Sequence, residues 1–286
     1  MIYLLALGSA LLYGAADFTG GLATRRFATI PVVILSQFSG LVFLLFLLPF
    51  LPDTSPTQAD MLWGAVAGLT GGIGVGLLYR ALAVGTMAVV APTTAVCAVA
   101  IPVVVSVLLG ERPGPVAALG IGLGIVSIVL VSRQTAVEHG KAAVGGRKLP
   151  PGVGTALISG VAIGFFFLAL ARTRSEAGMW PLVASRLLSV ILFGAIAAAT
   201  RQSVLMPQRI VLLSGVCGII DMLANALYLL AARAGPLSLV VTLSSLYPAS
   251  TVLLARVILH ERLNAWQISG VACALAAVVL IVRGGS

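Results

Sequence analysis

Asp221 stands inside an otherwise apolar stretch, with Asn225 four residues and Tyr228 seven residues further on. Those spacings put the three side chains on one face of a helix. Asp221 falls about 13 residues into its segment, near mid-membrane at about 1.5 Å per residue. A charge at that depth is costly and by default marks a binding or ion path. A helix–helix hydrogen-bond cluster is the structural alternative. Arg186, five residues after Pro181, lies at a compatible depth in the preceding segment. A pair between the two would lessen the desolvation cost of both, whereas a lone Arg186 would snorkel to the interface. Asp17 lies about one turn from the end of the first apolar segment, with Tyr13 one turn deeper. It could meet Arg80 or Arg256 near one membrane surface, as an ion pair or as a ligand contact.

Neutral groups complete the candidate set. The run Gly68-Leu69-Thr70-Gly71-Gly72-Ile73-Gly74-Val75-Gly76 leaves one helix face almost free of side chains. Close helix approach explains such a run; a bend, or room for a ligand beside Tyr79, is the second reading. Thr93, Thr94, Ser244, Ser245 and Tyr247 offer hydrogen bonds within two matched segments. Phe165, Phe166 and Phe167 line a cavity or meet lipid, with lipid or core packing expected for at least two of them. Cys97, Cys217 and Cys273 all lie in apolar segments without a CxxC neighbour, which favours packing over zinc or disulfides.

Other chemistries lack their residues. His139 lies in a polar linker and His260 at a segment end, so neither builds an acid–base pair or a metal cluster. The chain has no GxxxxGK[ST] loop, which excludes a self-contained ATP-driven pump. No filter-like motif or ring of charges argues for a channel, and no cofactor is expected. The net charge of +9 comes from single basic residues at segment ends, with no aromatic-interleaved face for nucleic acid.

The elements that position these residues follow from composition. The chain is 60% hydrophobic and 9% charged, against roughly 25% charged in a soluble protein. An all-α integral membrane protein is the only class that fits. The N-terminal apolar segment lacks a basic leader and reads as an uncleaved first helix. Spanning takes about 20 apolar residues, and ten segments qualify: 2–22, 31–51, 61–80, 86–109, 115–132, 152–171, 181–200, 208–231, 236–259 and 265–283. The linker 134–151 is polar and rich in Gly and Pro.

A constant offset of 150 residues relates Gly14 to Gly164, Pro31 to Pro181, Gly68 to Gly218, Glu111-Arg112 to Glu261-Arg262 and Arg133 to Arg283. Two copies result, 1–133 and 152–286. Five helices per copy is an odd number, so the second copy enters the membrane upside down. Such inverted repeats commonly build secondary transporters, with the ligand at the midplane between copies. The fourth segment of the second copy carries Pro248 in mid-span after Ser244 and Ser245, a break tolerated only beside protein or a wet cavity. Glu111 and Glu261 are expected to cap the helix that follows each.

The apolar helix ending Gly110-Glu111-Arg112, and Leu246-Tyr247-Pro248 followed by His260-Glu261-Arg262, each before a closing helix rich in small residues, resemble the drug/metabolite transporter superfamily and its ten-helix EamA-type exporters. The likeness extends over both copies. The first copy departs from it at Ala98, which stands where Pro248 does, with Pro102 one turn later. The resemblance implies efflux of small metabolites, often amino acids and in one branch aromatic ones, across the cell inner (plasma) membrane by a monomer or homodimer. The positive-inside rule places the linker in the cytoplasm and both termini outside, while some members of the family have cytoplasmic termini. A membrane enzyme on a lipid substrate would need carboxylates or histidines converging at one interface, and a non-transporting partner protein would lack a central polar cavity.

Overall fold

The computed structural model describes residues 2–52, 54–108, 114–132, 149–234, 240, 243–263 and 265–284. Within them lie ten α-helices and no strand. The first five are α1 Ile2–Arg26, α2 Thr29–Leu47, α3 Gln58–Val84, α4 Met87–Leu108 and α5 Pro115–Ser132. The others are α6 Val153–Leu170, α7 Trp180–Ala199, α8 Gln208–Ala234, α9 Tyr247–Ile258 and α10 Ala265–Gly284. Seven are long and apolar enough to cross a bilayer: α1, α2 with its 3₁₀ extension to Phe50, α3, α6, α7, α8 and α10. In α4, α5 and α9 the apolar stretches counted among the described residues are shorter, Met87–Pro102, Ala118–Ser127 and Tyr247–Ile258. The Glu111 motif and residues 134–148 of the linker lie outside the described residues.

Local sequence explains several helix ends. Thr57 and Asp60 form a reciprocal capping box that starts α3. Gly152, with φ of 84°, turns the chain into α6 where a side chain would be strained and would press on Ala81 and Gly85. Pro248 differs from expectation. It sits in the first turn of α9, not in mid-helix, where a missing N–H costs little because first-turn donors have no intrahelical partner. Leu246 closes the turn before it, accepting from the Ala249 N–H at 2.9 Å. Pro92 and Pro102 do lie inside α4.

The helices pack mainly across the two halves. α3 lies against α6 and α7, α8 against α1 and α2, and α5 against α10. α4 contacts α6 and α10, and α9 contacts α1 and α4. The glycine run of α3 makes two of these seams. Gly64, Gly68 and Gly72 stack turn by turn on Pro181, Ser185 and Ser189 of α7, while Gly71 and Gly74 meet Phe166 and Ile163 of α6. The run serves close approach rather than room for a ligand. Phe166 covers Gly71, and Phe165 and Phe167 point outward, 46% and 42% exposed.

Hydroxyls stitch the same seams by donating to carbonyls of neighbouring helices. Ser39 and Ser189, one repeat apart, reach Gly215 O at 3.0 Å and Gly68 O at 2.8 Å. Ser159 reaches Gly74 O and Ser127 reaches Gly270 O, both at 2.7 Å. Each such bond contributes about 0.6 kcal/mol in a membrane interior. Carboxylates fasten the two ends of the bundle. Asp60 accepts from the Arg174 backbone at 2.9 Å and pairs with its guanidinium at 3.2 Å. At the other end of α3, Glu261 pairs with Arg25 at 2.9 Å and accepts from the Met87 and Ala88 amides at 3.1 Å. Glu261 therefore caps α4, in the other half, and not the helix that follows it. The positive end of α4 presents the buried Met87 and Ala88 amides to the carboxylate, and Arg25 holds it there.

Candidate functional site

α1, α2, α3, α7 and α8 converge on a small cavity between the halves. Arg186 of α7 projects into it, because α7 is held tightly on α3 by the glycine seam. One guanidinium nitrogen donates to Gln37 Oε1 of α2 at 2.6 Å, and another forms an ion pair with Asp221 of α8. The expected pair is thus present, and Arg186 does not turn away to the interface. Its side chain is 13% exposed and that of Asp221 23%. Asn225 lies one turn beyond Asp221, and its amide donates to the Asp221 carbonyl at 2.8 Å. Its second contact, 3.5 Å to the carboxylate, is at the limit for a hydrogen bond.

Asp17 lines the same cavity from α1. α1 continues to Arg26, so Asp17 is deeper than the sequence suggested, about nine residues or 13 Å from the helix end. Arg80 and Arg256 are both exposed and neither pairs with it. Among the described residues no hydrogen bond or ion pair reaches its carboxylate. Tyr79 adds a ring to the wall, and its hydroxyl lies 3.1 Å from the buried Cys217 thiol. Tyr13 sits within electrostatic reach of Asp221, Arg186, Tyr228 and Tyr247, and packs edge-on to Tyr247 with centroids 6.3 Å apart. Ser36, Val75 and Gly218 complete the lining.

The remaining candidates lie elsewhere. Thr93 donates to Val89 O within α4, and Thr94 reaches Ala156 O of α6 at 3.3 Å. Ser244 is buried against Ser9 at 2.8 Å, joining the stretch before α9 to α1. Ser245 belongs to the turn that precedes α9. Sequence reasoning missed Gln37, whose signal was its standing as the one amide in the apolar run 31–51.

The cavity measures about 20 Å³, enough for about one water molecule and far below the roughly 300 Å³ of the smallest ligand pockets. The arrangement is a narrow, charged centre. Fold and apolar helices define a multi-pass helical membrane protein. The chain belongs to the EamA-like transporter family, which matches residues 1–133 and 150–283, within the drug/metabolite transporter superfamily. A curated protein of Streptantibioticus cattleyicolor, a probable terminal-alkyne amino-acid exporter, is 29% identical over 152 residues, 50% of this chain and 49% of that protein. The chain thus spans about half the length of that relative. A solved crystal structure aligns over 98% of this chain and 95% of its own, with a TM-score of 0.59 at 19% identity. That likeness shows the fold alone.

Proposed function

We propose that the chain is a secondary exporter of small amphipathic metabolites, amino acids foremost. It would work by alternating access of two inverted five-helix halves, 1–133 and 152–286, around the Asp17–Arg186–Asp221 centre. One observation carries the reading: a guanidinium and two carboxylates line one small cavity at the meeting of five helices from both halves. Charges are retained at such depth where they serve a ligand or ion path. The centre holds both signs needed for an ammonium and a carboxylate, and the Tyr79 ring in its wall, with Tyr13 within electrostatic reach of Asp221 and Arg186, offers a surface for an apolar side chain. Seats at the membrane midplane between repeats suit a ligand that enters from one side and leaves by the other. The amino-acid exporter among the relatives supports the same substrate class. The reading places the protein in the cell inner membrane, as monomer or homodimer.

The test is flux in liposomes reconstituted with the purified chain, against a panel of amino acids and amphipathic drugs. Flux of at least one amino acid above empty liposomes is expected. Transport of none of them, by protein shown to be folded, overturns the reading.

A further inference from the structure

The centre holds three charges, and only two are matched. Arg186 and Asp221 pair, and Gln37 fixes the guanidinium from a third helix. Asp17 shares their cavity, and among the described residues no hydrogen bond or ion pair reaches it. The titratable and charged groups within reach of it are Tyr13 on its own helix, Tyr79 on α3, Arg186 on α7, Cys217 and Asp221 on α8, and Tyr247 on α9. Among these Arg186 is the one cation, and Asp221 already holds it. Two carboxylates and one guanidinium sum to one negative charge. Leaving that charge unmatched at this depth costs several kcal/mol, so one further positive charge must be supplied. Without a ligand, a proton on Asp17 would supply it.

We propose that Asp17 is the seat for a ligand's ammonium group and Arg186 the seat for its carboxylate, so that the ligand's carboxylate decides whether a proton leaves the protein. This rests on the exporter reading and adds the chemistry of its ligand. The charge accounting is closed in each case. An incoming amine delivers its positive charge to Asp17, whose O–H bond breaks and whose proton goes to solvent; the Arg186–Asp221 pair is untouched. An amino acid also displaces Asp221 from Arg186. The freed Asp221 oxygen then takes the proton that Asp17 gives up, and none leaves. The centre stays neutral throughout.

The test is calorimetric titration of the full-length protein in detergent, near neutral pH, in two buffers of different ionisation enthalpy. The probes are phenethylamine and phenylalanine, which differ by the carboxylate. About one proton released per bound phenethylamine and about none per bound phenylalanine is expected. Equal counts for the two probes overturn the proposal, as does failure of both to bind. Flux of other substrates in liposomes would leave the exporter reading standing in either event. Asp17→Asn, checked for folding by thermal unfolding, should weaken phenethylamine binding by roughly tenfold or more and abolish proton release. Unchanged affinity for phenethylamine in that variant also overturns it.

Discussion

Asp221 and its partner separate two roles that a buried ion pair can play. If the pair only braces α7 against α8, Asp221→Asn weakens the fold while the surviving protein works normally. If it serves the transport cycle, the amide keeps volume and most hydrogen bonding, so folding persists while flux collapses. The second outcome is expected, with thermal stability and liposome flux measured on one preparation. Asp221→Ala should behave differently again, lowering stability by about 3–5 kcal/mol because Arg186 is left buried without a counter-ion. These charges were legible in the sequence because an ionisable residue is rare in an apolar segment. Gln37 was not, because a lone amide is weakly marked against Ser36 and Ser39 beside it. Asp17 was placed too near the surface because Thr24, Arg25 and Arg26 look like a loop, yet they continue α1 while Arg25 reaches the Leu82 and Gly85 carbonyls.

At the scale of helices, the periodic apolar segments fixed most elements to within a few residues. In the fourth segment of the second half, Pro248 was read as lying in mid-helix and instead opens α9, since nothing in an apolar run says whether its proline bends a helix or starts a new one. The α3 seam was legible as a glycine face, though not its partners. It also yields a paired test. A methyl group added at Gly68 meets the backbone of Ser185, which has no rotamer to yield. Gly68→Ala should therefore destabilise by about 1–3 kcal/mol. At Gly194 of α7 nothing lies within 4 Å of the added carbon, so Gly194→Ala should stabilise by about 0.5–1 kcal/mol through helix propensity. Thermal unfolding in the same detergent decides both, and a Gly68→Ala protein as stable as wild type would remove the seam from the argument.

Across the whole molecule, the proposed ten-span arrangement puts residue 147 after the fifth span and residue 286 after the tenth. Arg147→Cys and Ser286→Cys should therefore react with a membrane-impermeant thiol reagent from opposite faces of sealed vesicles. Labelling of both from one face would remove the inverted repeat. The repeat was read as a constant offset, and Ser39 and Ser189, one offset apart, each donate to a carbonyl of a helix in the other half, Gly215 and Gly68, which are not themselves one offset apart. What the offset did not reveal is how unequal the halves are at their centre. One repeat away from Asp221, Arg186 and Asp17 stand Gly71, Ser36 and Phe167, and at Gly71 the space is filled by the Phe166 ring. Seams and charges thus reside on different residues. A chimera joining two first halves would keep its glycine ridges and two copies of Asp17 but lose the Arg186–Asp221 pair, an intact housing with no cation at its centre. On the proposed reading the housing is a chassis: its cargo preference would be rewritten at a few charged positions while the joints that hold it together stay as they are.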